Sequence, residues 1–190
     1  MYHTQKEIER LLRSTERQGI EGLIEYMIDS GFFDSPASTK YHGAQPGGLA
    51  EHSLNVYNNA MAIAYGLDSE YAYDNRDSLI ICSLLHDLGK VGQFGKPLYV
   101  DNVLKTGISK AQPYKINPEL ITAQHEVVSA IDVQRFIQLT EKEQRAILWH
   151  NGLYGMFKYD IQGKEDELYL IIHYADLWAA RVTERGENNE

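Results

Sequence analysis

A single cysteine in 190 residues excludes an internal disulfide and fits a reducing compartment. That cysteine, Cys82, lies within Ile80-Ile81-Cys82-Ser83-Leu84, where a small buried core residue is expected rather than a reactive thiol. No apolar run approaches the ~20 residues that a membrane-spanning helix requires. The first seven residues, Met1 to Glu7, are polar and have no signal-peptide core, so a cytoplasmic location is expected. Positive charge is scarce as well. A formal net charge of -9 argues against a broad basic surface for duplex nucleic acid. A small phosphorylated ligand remains compatible, because bound metal ions reverse the sign of the local field. There is no internal repeat and no low-complexity stretch.

The chain has 43% hydrophobic and 24% charged residues, a balance typical of one folded domain. Its order suggests an N-terminal helical cap over 1–40, a main domain over 41–183 and a frayed acidic tail over 184–190. Thr4 and Glu7 have capping-box spacing, and a second short helix turns Leu23, Ile24, Met27 and Ile28 inward. A loop with three glycines and Pro46 leads to a long helix over about Leu49–Tyr65. Asp77 is placed to cap the next helix, which runs to Leu88 and stops at Gly89. Asn117-Pro118 reads as a helix start, with that helix reaching about Leu139. Thr140 with Glu143 forms a second capping box before a helix through Trp149-His150. A last helix covers about Asp166–Thr183. The fold class is therefore all-α. One short β-hairpin candidate, at 97–116, sits where it would act as a flap over a site or as a surface excursion.

The chemistry centres on Leu85-His86-Asp87-Leu88-Gly89-Lys90. Adjacent imidazole and carboxylate groups suit a divalent metal, and Lys90 could receive an anion; a solvated helix end has the same composition. The other candidates decide between them. His52, His125, His150 and Asp176 each lie among apolar neighbours on separate predicted helices. With His86 and Asp87 they form a set of inward polar groups that would be costly to bury without a purpose. Helical bundles are a known setting for such dinuclear sites.

In this order of residues the chain resembles the HD-domain superfamily of metal-dependent phosphohydrolases, whose signature is H…HD…D. The matching positions are His52 in Gly47-Gly48-Leu49-Ala50-Glu51-His52, His86-Asp87 in the stretch above, and Asp176 in His173-Tyr174-Ala175-Asp176. His125 and His150 match the two further histidines of dinuclear members. The resemblance covers roughly Gly43 to Arg181 and implies an HD-domain helical bundle holding one or two divalent ions (Mn, Fe, Co, Ni, Zn or Mg). His52, His86, Asp87 and Asp176 would hold the first. Asp87 would bridge to a second, held by His125 and His150. Water activated there would attack phosphorus, with Asp87 and Lys90 at the reacting centre. Lys90, His173 and Tyr154 are candidate substrate contacts. His173 otherwise reads as a hydrogen-bond partner of a ligand or as an ordinary core or surface histidine. His42 is placed to reach the cleft from its loop, and Glu126 to hydrogen-bond a ligand or assist proton transfer. Tyr99, Tyr114, Trp149, Tyr154 and Phe157 are candidates for stacking on a base.

The expected substrate is a small phosphomonoester or phosphodiester, a nucleotide by preference. The nucleic-acid-binding domain of HD exoribonucleases and the motif of cyclic-di-GMP enzymes are not apparent. Two other functions use the same residues: a di-iron oxygenase, and a non-catalytic nucleotide sensor. Exposed aromatics leave an oligomer open.

Overall fold

The computed structural model describes residues 2–184; the expected frayed tail lies outside them except for Glu184. Among the described residues the helices are α1 (Tyr2–Arg13), α2 (Ile20–Asp29), α3 (Gly48–Leu67), α4 (Ser69–Asp74), α5 (Arg76–Leu85), α6 (His125–Gln134), α7 (Glu141–Trp149), α8 (Lys158–Ile161) and α9 (Glu167–Trp178). A 3-10 turn follows α5 over Leu88–Val91, and a π-helical turn extends α9 over Ala179–Thr183. None of the helices is long and apolar enough to cross a membrane.

The long α3 is the axis of the bundle, with α5 and α9 packed along it and α7 closing the far side. Its buried face carries Leu49, His52, Val56, Ala60 and Ala64, spaced at one turn. From Leu79 to Leu85 every residue of α5 is buried, so this part of the helix forms the centre. Helices α1 and α2 pack Ile8, Leu11, Leu23 and Met27 into the same hydrophobic cluster.

Glu143 ties these layers together. Its side chain, fully buried, accepts from the Thr140 backbone N–H and the Ser78 hydroxyl. It also pairs with Arg17 from the α1–α2 connection. Thr140 and Glu143 complete the expected capping box of α7. Asp166 likewise caps α9 by accepting from the Tyr169 N–H.

The hairpin candidate is present as two small antiparallel ladders. Strand β1 (Tyr99–Asp101) pairs with β4 (Tyr114–Ile116), Tyr99 opposite Ile116. Within their loop β2 (Val103–Leu104) pairs with β3 (Gly107–Ile108).

Several local expectations are corrected. Thr4 does not cap α1, which is already helical at Tyr2, and Glu7 pairs instead with Arg10. Ile28 points outward at 47% exposure, because Met27 takes the inward position. The cap of α5 is Asn75, with Asp77 inside the first turn beside Arg76. The helix at Asn117-Pro118 does not form. Asn117 Oδ1 accepts from the Glu119 N–H while its Nδ2 donates to Pro97 O. This Asx turn closes the hairpin base rather than opening a helix, and α6 begins only at His125.

Candidate metal centre

The α5 helix ends one residue before His86, earlier than its apolar pattern suggests. His86 keeps helical angles as the C-cap, and Asp87 leaves them at φ -104°. The break turns the Asp87 carboxylate toward α3 and α9 on one side and α6 and α7 on the other. Gly89 allows it. A Cβ there would lie 2.3 Å from His125 O, so only glycine lets the turn touch α6. The Gly89 N–H also donates to Ser129 Oγ.

Asp87 lies at the middle of the predicted set. Its Oδ2 is 3.5 Å from His52 Nε2 and 3.3 Å from His86 Nε2. Its Oδ1 is 3.1 Å from His125 Nε2 and 3.5 Å from His150 Nε2. Asp176 Oδ1 completes the first side, 3.1 Å from His52 Nε2 and 4.0 Å from His86 Nε2. All six predicted ligand residues are thus brought together, and His52, His86, Asp87 and His150 are almost fully buried.

The outward-facing ring nitrogens decide what the inward ones present. His86 Nδ1 donates to Ser83 O at 2.9 Å, and His150 Nδ1 to Ile147 O at 2.8 Å. A carbonyl only accepts, so each of these nitrogens carries a proton, which leaves Nε2 as the lone-pair nitrogen of the neutral ring. His150 Nε2 nevertheless faces His125 Nε2 at 3.3 Å. His52 Nε2, His86 Nε2 and Asp87 Oδ1 are buried and lack any aligned hydrogen bond. Imidazole nitrogens and a carboxylate oxygen converging at short range without hydrogen bonds of their own fit a bound cation. The set, imidazole with carboxylate, suits a first-row divalent ion.

Without an ion, the buried carboxylates are compensated by the cationic groups around them. Burial works against charge on Asp87, but Lys90 and His86, with His125 and His150, hold it well below the usual carboxylate range. Asp176 is likewise lowered, its burial outweighed by His52 and the neighbouring imidazoles. For His52, burial is outweighed by Asp176 and Glu184, which raise it to about 9.

The remaining candidates separate. Lys90 is not a solvated helix end: its Nζ lies 2.6 Å from Asp87 Oδ2, with the side chain only 11% exposed, and it lines the cavity. His173 Nδ1 donates to His150 O at 2.7 Å, and its ring packs on Gly152, so it braces the end of α7 while lining the cavity. Glu126 is buried, 3.3 Å from His125 Nδ1. His42 does reach the cleft, its ring centroid 4.8 Å from that of His52. Burial, with His52 and Lys90 nearby, lowers it to about 4. Glu184 was missed, because it falls in an apparent tail. Its carboxylate lies 3.1 Å from His52 Nδ1.

A cavity of about 1050 Å³ opens over this cluster. It exposes Asp87, Lys90, His150 and Asp176 at its floor and Lys40, Tyr41, Tyr154 and Arg181 on its walls. Of the five aromatics proposed for stacking, only Tyr154 lines it. Trp149 is spent edge-on against Tyr169, and Phe157 packs on the core.

The family model for the HD domain matches residues 49–180. A 3'-5' exoribonuclease YhaM from Geobacillus sp. (strain WCH70) is 27% identical over 93% of this chain and 52% of its own length. The corresponding protein from Bacillus subtilis (strain 168) is 32% identical over 53% of this chain and 35% of its own. A dihydroneopterin 2',3'-cyclic phosphate phosphodiesterase from Methanocaldococcus jannaschii is 37% identical over 34% of this chain and 27% of its own. The chain thus spans about half, or less, of the length of these relatives. No solved structure gives a significant match.

Proposed function

The chain belongs to the HD-domain family, and from that premise we propose that it is a metal-dependent phosphohydrolase acting on a small phosphate ester, a nucleotide by preference. The observation that carries this reading is the Asp87 carboxylate, which faces two pairs of histidine Nε2 atoms through its two oxygens. His52, His86, Asp87 and Asp176 would hold one ion, and Asp87, His125 and His150 a second. Ions held there supply an acidified water as nucleophile and neutralise charge on the phosphoryl oxygens. The protein's own contribution is positional. Lys90 steadies Asp87 and faces the cavity, where its remaining N–H groups can meet a phosphate oxygen. His42 and Asn151 flank the same floor, and Tyr154 offers a ring at the rim for a base.

The names of the relatives favour phosphodiester cleavage. The cavity volume is that of a small-ligand site, and the acidic charge disfavours a long polyanion. The test is metal analysis followed by a panel of phosphomonoesters, cyclic and linear phosphodiesters and short RNA, with Asp87→Ala as control. Divalent-ion-dependent turnover of small esters, abolished by chelation and in Asp87→Ala, is expected. Turnover unchanged in Asp87→Ala would overturn the centre, and preference for RNA would overturn the substrate class. A di-iron centre consuming oxygen, or nucleotide binding without turnover across the ion panel, would assign the other two functions.

A further inference from the structure

We propose that Glu184 is a positioning residue of the metal centre: its carboxylate fixes the His52 ring through Nδ1 and strengthens Nε2 as a donor toward the ion. This rests on the metal-holding role of His52 proposed above. The three deeply buried histidines differ in how Nδ1 is satisfied. His86 and His150 sit at helix ends, and each donates to the carbonyl three residues earlier in its own helix. His52 lies inside α3, where neighbouring carbonyls are taken up by the helix itself. Its acceptor must come from elsewhere.

Glu184 supplies it, from 132 residues along the chain, with both carboxylate oxygens 3.1 Å from Nδ1. Asn55, one turn after His52 on the same face of α3, donates to Glu184 Oε1 at 3.0 Å. The carboxylate is therefore held from two directions and is only 12% exposed. A charged acceptor makes a hydrogen bond roughly twice as strong as a neutral one. It also draws the Nδ1 proton outward, leaving more electron density on Nε2 than a backbone carbonyl would.

The backbone is shaped for this contact. A continuing α-helix would place residue 184 roughly 80° around the axis from Asp176, at 3.6 residues per turn. The π turn over Ala179–Thr183, closed by the Glu184 N–H donating to Ala179 O, spends more residues per turn. It swings Glu184 back toward the face that carries Asp176. One helix and its extension thus address both ends of His52: Asp176 approaches Nε2 and Glu184 holds Nδ1.

The test is calorimetric titration of metal-free protein with Mn²⁺, comparing the unaltered chain, His52→Ala, Glu184→Gln and Glu184→Ala. Circular dichroism and the melting temperature, metal-free and with Mn²⁺, are recorded for each. Glutamine keeps an acceptor for Nδ1–H but loses the charge. The expected result is a ten- to hundred-fold weakening of the binding event that His52→Ala abolishes, already present in Glu184→Gln. The other event should stay unchanged, and the melting temperature of Glu184→Gln should fall by more in the Mn²⁺-loaded protein than in the metal-free one. Glu184→Gln titrating like the unaltered chain overturns the proposal. So does weakening that comes only with a matching fall in metal-free melting temperature, the mark of a structural clasp. An unaltered chain that takes up no Mn²⁺ sinks the metal reading itself, and this inference with it.

Discussion

Lys90 Nζ lies 2.6 Å from Asp87 Oδ2, so the lysine of the His86–Lys90 stretch folds back onto its aspartate instead of reaching into solvent. Asp87 is buried and Lys90 is largely so, and Lys90 is the largest source of charge compensation for the carboxylate. Removing one partner of such a pair leaves an unpaired buried charge. Lys90→Met should therefore destabilise the metal-free protein by about 3 kcal/mol or more. Divalent ions should restore much of the loss by serving as countercharge to Asp87. Urea unfolding with and without Mn²⁺ checks this; a loss that Mn²⁺ does not relieve would show that Lys90 acts through packing alone.

The two sides of Asp87 should be separable. His125 contributes only to the Oδ1 side, together with His150. His125→Ala is expected to lower the bound metal from two ions to one per chain, with the fold intact. Turnover should fall by about a hundred-fold or more, the scale of losing a preorganised electrostatic contact. Elemental analysis alongside a steady-state assay reads both. Two ions retained in His125→Ala would rule out the proposed second position.

Acid sensitivity should trace partly to Glu143, at the opposite end of α7 from His150. Burial alone would raise its pKa, but Arg17, Thr140 and Ser78 hold it below 4.5. A depressed folded-state pKa gives stability that is complete above the unfolded value and is lost as pH falls through the folded one. The contribution should accordingly be present at pH 7 and decline below pH 4.5. Glu143→Gln should lower the urea midpoint at pH 7 and narrow the gap between pH 7 and pH 4. An unchanged gap would mean that other carboxylates set the acid limb.

How far the sequence disclosed these features depends on the physical signal each one leaves. His52, His86, Asp87, His125, His150 and Asp176 stand out because buried polar residues interrupt apolar periodicity, and the structure gathers them. The hairpin was legible from turn residues flanking short β-prone runs. Glu184 left no such trace, since its inward aim depends on a π turn that a 3.6-residue period does not anticipate. The helix expected at Asn117-Pro118 failed for the opposite reason. Proline after asparagine suits a helix start and an Asx turn equally, and the choice was made by the long-range bond from Asn117 to Pro97. For Lys90 the sequence left an anion contact and a solvated helix end both open, because spacing does not show the three-residue turn that folds it onto Asp87.

Gly89 offers the sharpest link from sequence to site. It has no need of a left-handed backbone; what it lacks is room, because a Cβ would meet His125 O at 2.3 Å and Ser129 N at 2.8 Å. Both contacts are rigid backbone of α6, so the helix must move away if a methyl group is added. Gly89→Ala should cost about 1–3 kcal/mol through overpacking. It should also carry His125 away from Asp87 Oδ1, a gap that now measures 3.1 Å. The expected signature is selective: a weakened second-ion affinity, with first-ion binding at His52, His86 and Asp176 retained. Calorimetric Mn²⁺ titration of Gly89→Ala reads it, and equal weakening of both binding events would show that the methyl group disturbs the HD turn rather than the position of α6.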